Sequence, residues 1–324
     1  MDHENISFYD EYQSIWPQLL SVEQCITEQV QTSDPHVAPI LQELTERRGK
    51  MLRPAMLLFC GKLLSDLKTE HIHLAAIVEL IHMASLLHDD VIDKAQLRRG
   101  KPSANALWGN TVAVLLGDYL LSRAFTLASH SQLNGAAAVL GQTTQALCTG
   151  EIKQNLITEK RSLTEAEYMQ IIEAKTATLF QCSCQLGALC SGGTEQQVDA
   201  LGEFGFQFGR AFQMADDLRD LLSSEAQEGK TLGTDLQEGK LTLPMVHWIQ
   251  QDSSQQQDRL NALLDETNVT SLADQLRQAG SVDYTLGCVR MAFTQAERAL
   301  DIFAASPDKE ALVSLSNRVI SGIN

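Results

Sequence analysis

Apolar residues recur at three- and four-residue intervals along almost the whole chain. Leu74, Ile77, Val78 and Ile81 form one such stripe, and Val198, Leu201, Phe204 and Phe208 another. This is the spacing of side chains sharing one face of a helix. Alternating strand patterns bounded by turn signals are missing, so a sheet is not expected. Punctuation falls where helix chemistry places it. Gly192-Gly193-Thr194 ends one helix and caps the next, and Ser306-Pro307 reads as N-cap followed by the first helical position. Ser162 with Glu165 fits a capping box ahead of a helix over Tyr168–Cys190. The pattern predicts an all-α chain of about ten or more helices, with residues 1–324 forming one domain.

Two of the helical runs end in the same acidic pattern. Asp89-Asp90-Val91-Ile92-Asp93 closes one, and Asp216-Asp217-Leu218-Arg219-Asp220 closes the other. Asp89 and Asp93 are four apart, as are Asp216 and Asp220, so each pair shares a helix face. Like charges stacked this way repel each other, and a divalent cation removes the penalty. Mg²⁺ suits the position because it prefers oxygen ligands and binds through a few carboxylates plus substrate phosphates. A solvated acidic helix end explains one copy; two copies behind apolar helices point to a metal-dependent site.

Net charge sharpens that reading. Lys plus Arg is 25 and Asp plus Glu is 41, giving −16, which makes nucleic acid a poor partner. An acidic protein that holds phosphates needs metal and a local set of its scarce cations. Such cations sit near the same landmarks. Lys50 and Arg53 are three apart at a helix start, and Arg98-Arg99-Gly100-Lys101 follows the first cluster. Lys175-Thr176 lies inside a helix, while Lys230 and Lys240 follow the second cluster in Gly-Lys contexts. Together with two metal clusters they describe a site for two diphosphates, one held by metal and one by cations alone. His82 joins it because it lies two turns before Asp89 on the same face, and Gln213 precedes the second cluster.

Seven cysteines, an odd number mostly set among apolar neighbours, argue against a disulfide framework and for a reducing cytoplasm. Cys182-x-Cys184 has no second pair at zinc spacing. The polar, acidic N-terminus is not a signal peptide, and no run reaches the ~18 uninterrupted apolar residues of a membrane span.

The segments His82–Asp93, Phe212–Asp220 and Gly239-Lys-Leu-Thr-Leu-Pro244 resemble, in order and spacing, the signatures of the trans-isoprenyl (polyprenyl) diphosphate synthases of medium- and long-chain type. The resemblance runs from about Arg48 to near Arg318. It implies a single large helical bundle with a central cavity, homodimeric, that joins isopentenyl diphosphate head-to-tail to an allylic prenyl diphosphate. By the same likeness Asp89, Asp93 and Asp216, supported by Asp90, Asp217 and Asp220, would hold three Mg²⁺, with Mn²⁺ as an alternative, on the allylic diphosphate. Arg98, Lys175, Thr176, Gln213 and Lys230 would contact that substrate, Arg98 and Lys175 taking part in catalysis. Lys50, Arg53, His82 and Arg99 would bind isopentenyl diphosphate. Three departures accompany it: Arg48-Gly49-Lys50 for the usual Gly-Gly-Lys, Gly233-Thr234-Asp235 for Gly-Lys-Asp, and Arg219 inside the second cluster. None removes a carboxylate.

The first helix also offers a ruler. A tail running back from Asp89 meets Ser85 and Ala84, and one turn spans ~5.4 Å, close to one prenyl unit. Short-chain members tend to carry an aromatic residue here; two small residues imply a product longer than fifteen carbons, towards long chains. The alternatives are a short-chain farnesyl or geranylgeranyl synthase, a terpene cyclase or head-to-head coupling enzyme, and a silent partner subunit. The second cluster and the Lys50/Arg53 pair weigh against the cyclase, and retention of both clusters weighs against the silent subunit.

Overall fold

The computed structural model describes residues 9–46, 49–98, 100–158, 163–222, 240–251, 258, 260, 262–263 and 269–323. Arg99, Lys230, Arg48, Ser162 and Gly233-Thr234-Asp235, singled out above, lie outside them. The helices are α1 (Tyr9–Tyr12), α2 (Trp16–Val30), α3 (Ala38–Glu46), α4 (Leu52–Lys62), α5 (Thr69–Ile92), α6 (Ala104–Trp108), α7 (Asn110–Ser129), α8 (Ala136–Thr158), α9 (Glu165–Ile172), α10 (Thr178–Cys190), α11 (Glu195–Leu222), α12 (Leu243–Gln251), α13 (Val269–Gln278), α14 (Ser281–Ala299) and α15 (Pro307–Ser321). The expectation of no strand needs one correction: Leu97–Arg98 pairs antiparallel with Lys101–Pro102 around Gly100.

α5 is the central helix. Leu74 through Ile81 are buried without interruption, so the helix is enclosed on every side rather than amphipathic. It packs on α4, α7 and α10. α10, α11 and α14 close the other half around Phe180, Phe204, Phe208, Phe212 and Phe293, whose neighbouring rings lie 5.3–6.3 Å apart. Such spacing adds aromatic contact energy to simple burial. By length and composition α5 and α7 could each cross a membrane, but 61% of the most apolar window of α5 is buried inside this fold. It is a core helix.

Capping chemistry follows the sequence with one shift. Gly192 turns at φ 75°, and Thr194 and Gln197 exchange hydrogen bonds at the start of α11. Ser306 caps α15 ahead of Pro307. The capping box before α9 is built by Thr164 and Glu167, two residues later than the Ser162/Glu165 reading. Nor is 168–190 one regular helix: Glu173–Ala177 forms a π turn between α9 and α10. A π bulge inserts one residue into the ladder and re-aims the side chains on it, often at functional sites.

Candidate active site

The first acidic cluster sits at the C-terminal end of α5, and the second lies in the last described turns of α11. The carboxylates of the first cluster therefore stand where the helix dipole disfavours negative charge, and nearby cations compensate. Lys94 breaks α5 in a left-handed conformation (φ 54°), and Ala95 N–H reaches back to the Asp90 carbonyl at 2.9 Å. Ser103 Oγ and Asn105 Nδ2 then tie down the Ala95 carbonyl at 2.6 and 3.0 Å. This folds the hairpin back so that Arg98 Nε donates to Asp90 Oδ1 at 2.6 Å.

Other cations meet the remaining carboxylates. Lys240 Nζ lies 2.8 Å from Asp93, and Arg219 donates to Asp216 at 3.1 Å. Lys175, carried by the π turn, is 3.7 Å from Asp89, donates to Gln154 Oε1 at 3.0 Å and pairs with Glu151. The next residue, Thr176, donates to Gln213 Oε1 at 2.7 Å. Gln213 Nε2 donates to Asp217 Oδ1 at 2.8 Å, and the buried Tyr168 hydroxyl donates to Asp217 Oδ2 at 2.5 Å. An unbroken chain of contacts, Asp89–Lys175–Thr176–Gln213–Asp217, thus links the two clusters. Lys175, Thr176, Gln213, Asp217 and Lys240 also line one cavity of about 160 Å³, whose other walls include Ile157, Ile171 and Leu241.

Burial pushes Asp89 up to about 6, against the pull of Lys175, and does the same to Asp217 against the Tyr168 and Gln213 hydrogen bonds. Burial also raises Asp90, with Arg98 opposing it. Crowded, partly desolvated carboxylates of this kind are poised for a cation. The donors are all carboxylate oxygens, the chemistry of a hard divalent ion. Among the described residues no three metal-binding side chains converge into a ready-made cage.

A second cationic locus lies deeper, at the start of α4. Arg53 Nη1 donates to His82 Nε2 at 3.1 Å, and its guanidinium rests 4.3 Å above the Phe180 ring. Burial lowers Arg53 to about 10, which leaves it charged at neutral pH. Its buried Nε has no hydrogen-bond partner among the described residues. A buried donor of a charged group left unused is costly unless an anion completes it.

Sequence spacing alone did not single out Glu151, Gln154 or Tyr168, nor give Lys240 a partner. Glu151 and Gln154 are three apart on α8, a pattern that could have marked a helix face; nothing local marks Tyr168. Cys182 and Cys184 are buried free thiols.

A helical bundle that ties two aspartate clusters together through Lys175 and Gln213, beside a cavity lined by Lys175, Lys240 and Asp217, is built to handle diphosphate esters. A family model described as polyprenyl synthetase matches residues 34–279. The octaprenyl diphosphate synthase of Haemophilus influenzae is 33% identical over 321 residues, 98% of either chain. The geranyl-diphosphate-specific all-trans-nonaprenyl-diphosphate synthase of Rhodobacter capsulatus is 34% identical over 311 residues, 94% of either chain. The crystal structure of a polyprenyl synthase from Caulobacter crescentus, complexed with calcium and isoprenyl diphosphate, superposes with a TM-score of 0.90 at 32% identity over 96% of either chain. The chain belongs to the polyprenyl synthetase family and is a prenyltransferase of isoprenoid biosynthesis.

Proposed function

We propose that this enzyme extends an allylic prenyl diphosphate with isopentenyl diphosphate, releasing diphosphate, to a product longer than fifteen carbons. The observation that carries the reading is the presence of two distinct sites: aspartate clusters joined through Lys175 and Gln213, and the half-buried Arg53–His82 pair on α4 and α5. One substrate is held for ionisation and the other for attack. The long-chain names of the relatives in Haemophilus and Rhodobacter, and the small Ala84 and Ser85, support the long product.

Asp89, Asp93 and Asp216, backed by Asp90, Asp217 and Asp220, would hold Mg²⁺, three ions by family likeness. Bound there, the metal would supply positive charge to the leaving diphosphate. Lys175, Arg98 and Lys240 exchange their carboxylate partners for phosphate oxygens, which places fixed positive charge where negative charge develops. Thr176 and Gln213 hold the π turn against α11 and so fix where Lys175 points. Lys50, Arg53 and His82 orient isopentenyl diphosphate so that its double bond meets the allylic carbon. Apolar walls exclude water, which would capture the cation as an alcohol. The departing diphosphate takes the proton.

A homodimer is supported by the apolar face that α7 and α8 leave open, with Leu115, Ile152 and Leu156 each about 60% exposed. The purified chain, given Mg²⁺, labelled isopentenyl diphosphate and geranyl, farnesyl or geranylgeranyl diphosphate in turn, should yield linear products whose masses step by one prenyl unit. A cyclic hydrocarbon would overturn the reading, and so would turnover only after adding a second polypeptide.

A further inference from the structure

The entry of the chain into α4 is strained. Met51 adopts a left-handed conformation (φ 50°, ψ 33°) without being glycine or asparagine, and no side chain caps the helix. Such a conformation costs a non-glycine residue about 1–2 kcal/mol and persists only where surroundings enforce it. Here the enforcing contact comes from far away in sequence: the buried Tyr12 hydroxyl at the end of α1 donates to the Lys50 carbonyl at 3.0 Å. Tyr12 lies outside the stretch that the family model matches. Its ring packs 6.5 Å from Phe59 on α4, so the hydroxyl has a fixed origin.

Glu79 is the other half of the device. Its carboxylate is 4% exposed on α5, one turn before His82, and acts electrostatically on both Tyr12 and Arg53. Burial and this neighbouring charge drive the Tyr12 phenol far above its ordinary range, so it stays neutral and remains a donor at working pH.

We infer that Tyr12 is a positioning residue for isopentenyl diphosphate: by holding the Lys50 carbonyl it sets the strained turn that aims Lys50 and Arg53 at the second diphosphate. This rests on the assignment of Lys50 and Arg53 to that substrate. The residue touches neither substrate, and its effect is specific because the aspartate clusters are anchored through other elements.

Tyr12→Phe keeps the ring and removes the hydrogen bond. It is expected to raise KM for isopentenyl diphosphate about fivefold, the worth of one neutral hydrogen bond. KM for the allylic substrate and kcat should stay within about twofold. Arg53→Lys is measured alongside and should raise the isopentenyl diphosphate KM more. If Arg53→Lys raises that KM while Tyr12→Phe leaves it unchanged, the positioning role falls and the substrate assignment stands. If Tyr12→Phe shifts both KM values and kcat together with the thermal midpoint, the residue is merely structural and the role again falls. If Arg53→Lys changes nothing, the substrate assignment itself fails and takes the positioning role with it.

Discussion

Tyr168 and Asp217, 49 residues apart, are joined by a 2.5 Å hydrogen bond inside the protein, and Gln213 fills the other carboxylate oxygen at 2.8 Å. Both oxygens of Asp217 therefore already have protein donors. The residue works as an anchor for the last described turns of α11, while its neighbour Asp216 is exposed. Tyr168→Phe leaves one buried carboxylate oxygen without its donor, a loss of about 1–3 kcal/mol. The expected result is a roughly tenfold fall in kcat with KM for isopentenyl diphosphate unchanged. Steady-state kinetics with each substrate varied would show it; an unaltered kcat would dismiss the anchor.

Close helix packing makes the second expectation. A Cβ at Gly187 would lie 2.2 Å from the Leu57 carbonyl oxygen, so α10 and α4 touch backbone to backbone. A methyl there has no soft side chain to displace. Gly187→Ala should destabilise the fold by about 1–3 kcal/mol, seen as a lower urea midpoint. Because α4 carries Arg53, isopentenyl diphosphate affinity should weaken as well. A midpoint equal to that of the parent protein would contradict the contact.

How much of this was visible beforehand depends on range. The aspartate clusters were legible because i, i+4 spacing is a local property of one helix, and Thr194 and Ser306 were legible as caps for the same reason. Arg53 meets His82 across 29 residues, and Tyr168 meets Asp217 across 49. No local pattern encodes such meetings; they follow from which helices pack together. The π turn was hidden too, because Glu173–Ala177 carries ordinary helix-forming residues and only the Thr178 amide, bonding back to the Glu173 carbonyl, reveals the extra residue. The slip from Thr164 to Ser162 arose because both positions offer a hydroxyl with a glutamate three residues on.

Stability should respond to acid through His71. Its side chain is fully buried; the Lys68 amide donates to Nδ1 at 3.0 Å, and Nε2 meets Ser191 Oγ at 2.9 Å. Burial holds its pKa below the ordinary 6.5. Above that value the folded and unfolded chains both keep a neutral ring. Below it the unfolded chain takes up a proton that the folded one refuses, so stability falls as pH drops from about 6.5 towards the folded value. Asp89 and Asp217, raised to about 6, act with the opposite sign, since the folded chain binds their protons first. Comparing His71→Gln with the parent protein cancels the aspartates. Urea midpoints between pH 7.5 and 5 should fall more steeply for the parent, and parallel curves would remove His71 as the cause.

Chain length gives the last expectation. Ser85 is four residues before Asp89 and three after His82, on the face that both occupy, and it is half-buried with its hydroxyl turned back to the His82 carbonyl at 2.8 Å. Ala84, one position earlier, is fully buried. An aromatic ring at Ser85 can therefore project towards a prenyl tail from the surface the substrates share, whereas a ring at Ala84 must first displace packed neighbours. Ser85→Phe should shorten the main product by one or more prenyl units with little change in thermal midpoint. Ala84→Phe should shorten it too, at a cost of about 1–3 kcal/mol from overpacking. Product mass and a melting curve read both outcomes. If Ala84→Phe melts early and its product is unchanged, Ala84 is helix packing and Ser85 alone is the ruler; if neither variant alters product mass, the wall that stops growth lies on another helix.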